Sequence, residues 1–161
     1  MRLHGQIHAG SLRSSSGRTA RGRGFITQIR EVVATQRTGT AYSPRDFKYL
    51  EELNIREVQG AFDIFGDRSV IAFPTPGHTL GHQSLYVKPS VGKAFIYAAD
   101  ALYTLECMEK SIPPAVAADF SATMQNIHWF KLEDLAGVTV VPSHDPEYWA
   151  KRAWAPAELV P

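Results

Sequence analysis

Apolar positions along the chain fall into short runs punctuated by glycine and proline. Val70 to Phe73 is one such run, bounded by Gly66-Asp67 and Pro74, and it predicts a strand. His82 to Val87 alternates, with Leu85 and Val87 on one face and Ser84 and Tyr86 on the other. Lys93 to Ala99 (KAFIYAA) is apolar nearly throughout, the pattern of a strand buried on both faces. Val138 to Val141 predicts another buried strand. Residues 119–136 predict a helix with Phe120, Met124, Ile127, Phe130 and Leu135 on its buried side, and 145–154 a short closing helix. Upstream, Phe25 to Thr27 predicts a short strand and Ile29 to Arg37 a helix, with Gly39 beyond its end. Ser43-Pro44-Arg45-Asp46 reads as an N-cap with proline in the first turn, opening a helix through Leu53. There is no internal repeat and no domain boundary after residue 24. The pattern predicts one α/β (α+β) domain over 25–161.

Charge changes the picture at the start of the chain. The net charge is +1, yet residues 1–24 hold five arginines (Arg2, Arg13, Arg18, Arg21, Arg23) and no acid. The remainder is therefore acidic, at −4. Residues 11–24 have no apolar period, so 1–24 reads as a basic, poorly ordered arm. A nucleic-acid arm or an organelle transit peptide shares that composition, and no motif supports either. The acidic remainder disfavours a nucleic-acid groove. The single cysteine, Cys107, excludes an internal disulfide framework and a Cys-rich zinc site, and fits a reducing compartment, with the cytoplasm expected. No apolar run approaches bilayer length, so no membrane association is expected. Any metal must be held by histidine and carboxylate.

The apolar runs end on residues of that kind. FPTPG delivers His78, AFIYAA delivers Asp100, and VTVVPS delivers His144 with Asp145 behind it. A rigid sheet presents functional side chains on the loops at its strand ends. A carboxylate directly after AFIYAA is expected to lose hydration unless a cation or donors replace the water. Taken singly, each residue has a bland reading: His78 a hydrogen-bonded loop histidine, Asp100 a turn cap, Asp145 a cap for the helix at Pro146. One shared ligand explains all three strand ends together. Two imidazoles and a carboxylate suit zinc, with manganese, iron or cobalt tolerated. His82 is four residues from His78, but Pro76, Gly77 and Gly81 oppose a helix there. It reads as a support for the ligands, or as a structural histidine, rather than as a ligand. His128 sits within a helical pattern as surface or core. Tyr103 either packs or donates to a developing oxyanion. Ser143-His144-Asp145 are adjacent and cannot meet as a triad, and no GxSxG elbow exists.

TPGHTLGHQS, then Ala99-Asp100-Ala101-Leu102-Tyr103, then Pro142-Ser143-His144-Asp145-Pro146-Glu147, resembles the metallo-β-lactamase fold superfamily, and within it the N-acyl-homoserine lactonase-like hydrolases. The resemblance covers roughly 25–150. It implies part of an αβ/βα sandwich, a mixed β-sheet flanked by helices, with His78 on one metal, Asp100 bridging two, His144 on the second, and Tyr103 assisting ring opening of a lactone or ester by metal-activated water. The superfamily's principal motif, His-x-His-x-Asp-His, is only hinted at. If His8-Ala9-Gly10 matches its end, His8 stands for the last histidine, while Ile7, Gly5 and Leu3 fall where the other ligands belong. The chain is thus expected to be a truncated member, the C-terminal half. One site would assemble from His8, Asp100 and His144, and the other would keep His78. Three functions follow: a metallo-hydrolase impaired by truncation; a non-catalytic remnant or partner subunit that pairs with the missing half or with itself; and a nucleic-acid-acting relative.

Overall fold

The computed structural model describes residues 25–31, 52 and 54–152. The arm 1–24, His8 within it, the helix expected from 43 to 53 and the ends of two other expected helices (32–37 and 153–154) lie outside the described residues.

Seven strands and three helices are described. β1 (Phe25–Gln28) and β2 (Ile55–Val58) form a parallel pair. β3 (Phe62–Asp63), β4 (Val70–Pro74), β5 (Gln83–Val87), β6 (Phe95–Tyr97) and β7 (Thr139–Val141) make a five-stranded sheet in that order. The first four strands are antiparallel neighbours joined by short links. β7 runs parallel to β6, which demands a long crossover. The crossover carries α1 (Leu105–Lys110) and α2 (Phe120–Leu135), and α3 (Pro146–Ala150) follows β7. The sheet is therefore mixed and flanked by helices, as the family resemblance implies.

Each helix start is fixed by a side chain that accepts an otherwise orphaned N–H. Thr104 accepts from Cys107, Asp119 from Ala122, and Asp145 from Tyr148, with Pro146 at the first helical turn. The core lies between one sheet face and the helices. Ile96 and Val140, with Phe73 and Tyr86 beside them, meet Met108 of α1 and Ile127 and Phe130 of α2. Register places Phe62, Ala72, Leu85, Tyr97 and Val141 side by side on the opposite face.

Two expectations fail. β6 is shorter than KAFIYAA and is not buried on both faces: Ile96 is buried, while Phe95 and Tyr97 keep partial exposure. On α2, Phe120 is 54% exposed and Leu135 77% exposed. They occupy the first and last positions of the helix, beyond the reach of the core cluster, while Thr123 takes a buried place. Among the described residues, no helix is long and apolar enough to cross a membrane.

Candidate functional site

The site lies where β4, β6 and β7 end. Between β4 and β5, residues 75–82 form a loop closed by the Thr75 N–H donating to the His82 carbonyl at 2.9 Å. This loop is clamped despite its glycines. The Asn126 amide donates to the Pro76 carbonyl, and the backbone N–H groups of Asp119 and Ala118 donate to the carbonyls of Gly77 and His78. Gly77 has φ +146°, and a Cβ there would lie 2.8 Å from the Thr123 backbone nitrogen. Only glycine allows so close an approach to α2.

After β6 the chain makes a 3₁₀ turn over Ala99–Ala101, entered through Ala99 at φ 49°, a left-handed conformation unusual for a residue with a side chain. That turn delivers Asp100. The β6–β7 pairing then continues beyond the strands. Ser143 N–H donates to the Leu102 carbonyl and His144 N–H to the Tyr103 carbonyl at 2.9 Å, which brings His144 beside Asp100 and Tyr103.

Asp100 sits between the two histidines. His144 Nε2 donates to its Oδ1 at 3.0 Å, and His78 Nε2 stands 3.7 Å from its Oδ2. Tyr103 packs on His144 with ring centroids 4.7 Å apart, and lies 6.1 Å from the His78 ring. His78 Nδ1 is 3.3 Å from the Val116 carbonyl, which can only accept, so Nδ1 carries a proton. In the neutral ring Nε2 then holds a lone pair facing a carboxylate. Two acceptors so placed are stabilised by something electropositive between them. Metal-binding histidines are commonly arranged this way, one nitrogen on a carbonyl and the other free.

The donor types therefore fit a zinc-like ion, and so does their spacing. Bonds of about 2.0–2.1 Å at a tetrahedral angle put two donors about 3.3 Å apart, and the two His–Asp separations, 3.0 and 3.7 Å, bracket that distance. Among the described residues the number of donors falls short. Each oxygen of Asp100 meets one imidazole, and among the described residues no group of three or more His, Cys, Asp or Glu is arranged to hold an ion. Catalytic zinc needs three protein donors. His78 and His144 thus meet Asp100 on its two separate oxygens, and the three residues do not gather into one group.

Other expectations sort as follows. Asp100 is not stripped of water, since its side chain is 41% exposed. His82 joins the cluster from behind, its ring 6.0 Å from that of His78 and edge-on to it. Burial, with His78 nearby, holds its imidazole below the usual histidine range, so the ring is neutral at neutral pH. Burial, followed by the charge of Asp100, pushes the Tyr103 phenol above its ordinary value, so its hydroxyl keeps its proton and remains a donor. Asp145 follows its bland reading. It is buried, caps α3 and accepts the Leu105 N–H at 2.9 Å, so it belongs to the scaffold. His128 is exposed on α2. Sequence reasoning missed Thr75 and Ser84, two buried hydroxyls behind His82. No sequence pattern signals them, because they meet only when β4 and β5 are in register.

Comparison with solved structures shows that this fold is shared with other proteins. Solved structures that share the fold include a Bacillus thuringiensis AiiA variant with N-decanoyl-L-homoserine at its active site (TM-score 0.73, 24% identity, covering 84% of this chain and 52% of that one). Another is AidC, a dizinc quorum-quenching lactonase (TM-score 0.54, 15% identity, covering 81% of this chain and 51% of that one). In sequence the chain is similar to proteins named N-acyl homoserine lactonase. It is 37% identical to AttM of Rhizobium radiobacter over 98 residues, which is 59% of this chain and 36% of that protein. It is 29% identical to AiiA of Bacillus thuringiensis subsp. kurstaki over 99 residues, which is 58% of this chain and 38% of that protein. The chain thus spans little more than a third of the length of these relatives. No family model matches it.

Proposed function

We propose that the chain carries part of the active site of a metal-dependent lactone hydrolase, completed by donors outside the described residues. In this reading Asp100 is the shared carboxylate, His78 and His144 each contribute one imidazole, and Tyr103 donates a hydrogen bond to the lactone oxygen on which charge develops. His8 is the nominated further donor, and His82 supports His78. The observation that carries the reading is Asp100 with one imidazole nitrogen at each oxygen, at 3.0 and 3.7 Å. The relatives named lactonases support the substrate class, a small lactone or ester. A divalent ion, zinc or alternatively manganese, iron or cobalt, supplies Lewis acidity and an ionised water in sites of this kind.

The test pairs elemental analysis with an N-acyl homoserine lactone hydrolysis assay on wild type and Asp100→Asn. The expected outcome is bound metal and turnover in wild type, both lost together in the variant. Loss of a ligand should exceed the ~10–100-fold cost of a supporting residue. Equal metal content in the two proteins would remove Asp100 from the site. The shortage of donors among the described residues favours a second reading, a non-catalytic partner that lends half-sites to another polypeptide. That reading predicts no retained metal in the isolated chain.

A further inference from the structure

Behind His82 runs a chain of hydroxyls whose direction is fixed. Ser84 Oγ donates to the Ala98 carbonyl at 2.9 Å, and a carbonyl can only accept. A serine hydroxyl has one proton, so in its 2.8 Å contact with Thr75 the donor is Thr75 Oγ1. That uses the only hydroxyl proton of Thr75. Its 2.8 Å contact with His82 Nδ1 therefore requires the proton to be on the nitrogen. A second contact leads to the same assignment independently, because the Thr75 carbonyl lies 3.1 Å from the same Nδ1. Thr75 and Ser84 are buried, at 1% and 0% exposure, so bulk water does not substitute for either partner.

We propose that Thr75 and Ser84 are positioning residues of the site, holding His82 as its Nδ1–H tautomer so that Nε2, the nitrogen left over, keeps a lone pair. His82 then serves the His78–Asp100 cluster only as an acceptor, for example of a hydrogen bond from water. Along the 75–82 loop both imidazoles follow one rule: the protonated nitrogen faces the scaffold and the acceptor nitrogen is left free. The inference borrows from the lactone-hydrolase reading only the naming of the site, and its test uses neither metal nor substrate, so either can fail alone.

The test is a long-range proton–nitrogen correlation spectrum of the isotope-labelled, metal-free full chain at neutral pH, with His82 assigned by its disappearance in His82→Gln. Wild type should show a protonated Nδ1 and a bare Nε2. Ser84→Ala leaves the Thr75 hydroxyl without its acceptor, so the proton turns toward His82 Nδ1. The Thr75 carbonyl alone then favours Nδ1–H, so the other tautomer gains population and the two nitrogen resonances move toward each other. Thr75→Ser keeps the relay and should keep the wild-type spectrum. A wild-type ring protonated on Nε2 would overturn the proposal, whether or not the variants fold. So would a folded Ser84→Ala protein whose His82 resonances match wild type.

Discussion

The two histidines that reach Asp100 arrive by different routes. His78 comes on a loop sewn to the scaffold at many points, with its side chain 21% exposed and its Nδ1 committed to Val116. His144 comes on the end of a short parallel strand, with its side chain 60% exposed and its hydrogen bond made to Asp100 itself. The first flank is part of the fold and the second is mounted on it. In the first, function and stability draw on the same contacts, so a change there disturbs both. In the second, the side chain can be altered with little consequence for folding.

The harshest way to break that comparison is Gly77→Ala. The substitution combines a positive φ with a Cβ placed against the Thr123 backbone and hydroxyl. Backbone strain and overpacking each cost about 1–3 kcal/mol, so a loss of about 3 kcal/mol or more is expected in urea unfolding. Thr75→Val comes next. It keeps the shape and removes the hydroxyl between His82 and Ser84. The loss should be about 1–2 kcal/mol, because a buried partner goes unsatisfied. If both substitutions were silent in unfolding, the His78 flank would be as loosely held as the other.

How much of this was legible in the sequence differs between the two flanks as well. β4, β5, β7 and α2 were readable because their apolar patterns are clear and, for the strands, punctuated by proline and glycine. β2 and β3 were not. They are short, and β2 carries exposed Arg56 and Glu57 at its centre, so neither has an apolar run to announce it. α1 was missed because six residues, LECMEK, hold too little periodicity; its start is set by Thr104 and by Asp145, forty residues away from Leu105. The strand-end reasoning that singled out His78, Asp100 and His144 rested on chain order, and the structure does bring them together. How the carboxylate is shared between the two histidines was implied by the family resemblance and not by the order of residues. Whether a carboxylate meets two imidazoles on one side or on opposite oxygens depends on the Ala99 turn, which no run of apolar residues encodes. The Thr75–Ser84 relay was equally silent, because it exists only once β4 and β5 are in register.

On the open flank, His144→Ala should change unfolding free energy by no more than about 0.5 kcal/mol, the usual range for an exposed position away from caps and core. Under the proposed function the same substitution should still abolish metal retention. Stability measured by urea and metal measured by elemental analysis would then separate in this variant, whereas in Gly77→Ala they fall together. A large stability loss in His144→Ala would mean that its contact with Asp100 is structural.

The smallest effect expected is a titration. The Tyr103 phenol lies above its ordinary value first because it is partly buried and second because Asp100 is negative. A negative neighbour opposes formation of phenolate, so removing that charge must lower the midpoint. In metal-free Asp100→Asn, Tyr103 should therefore titrate at lower pH than in metal-free wild type, yet stay on the raised side, since the larger cause, burial, is untouched. The measurement is the phenolate absorbance change in each protein, with Tyr103→Phe subtracted to isolate the one ring. A midpoint that does not move would place Asp100 electrostatically out of reach of Tyr103. The hydroxyl would then have to be assigned to packing on His144, where the rings already lie 4.7 Å apart.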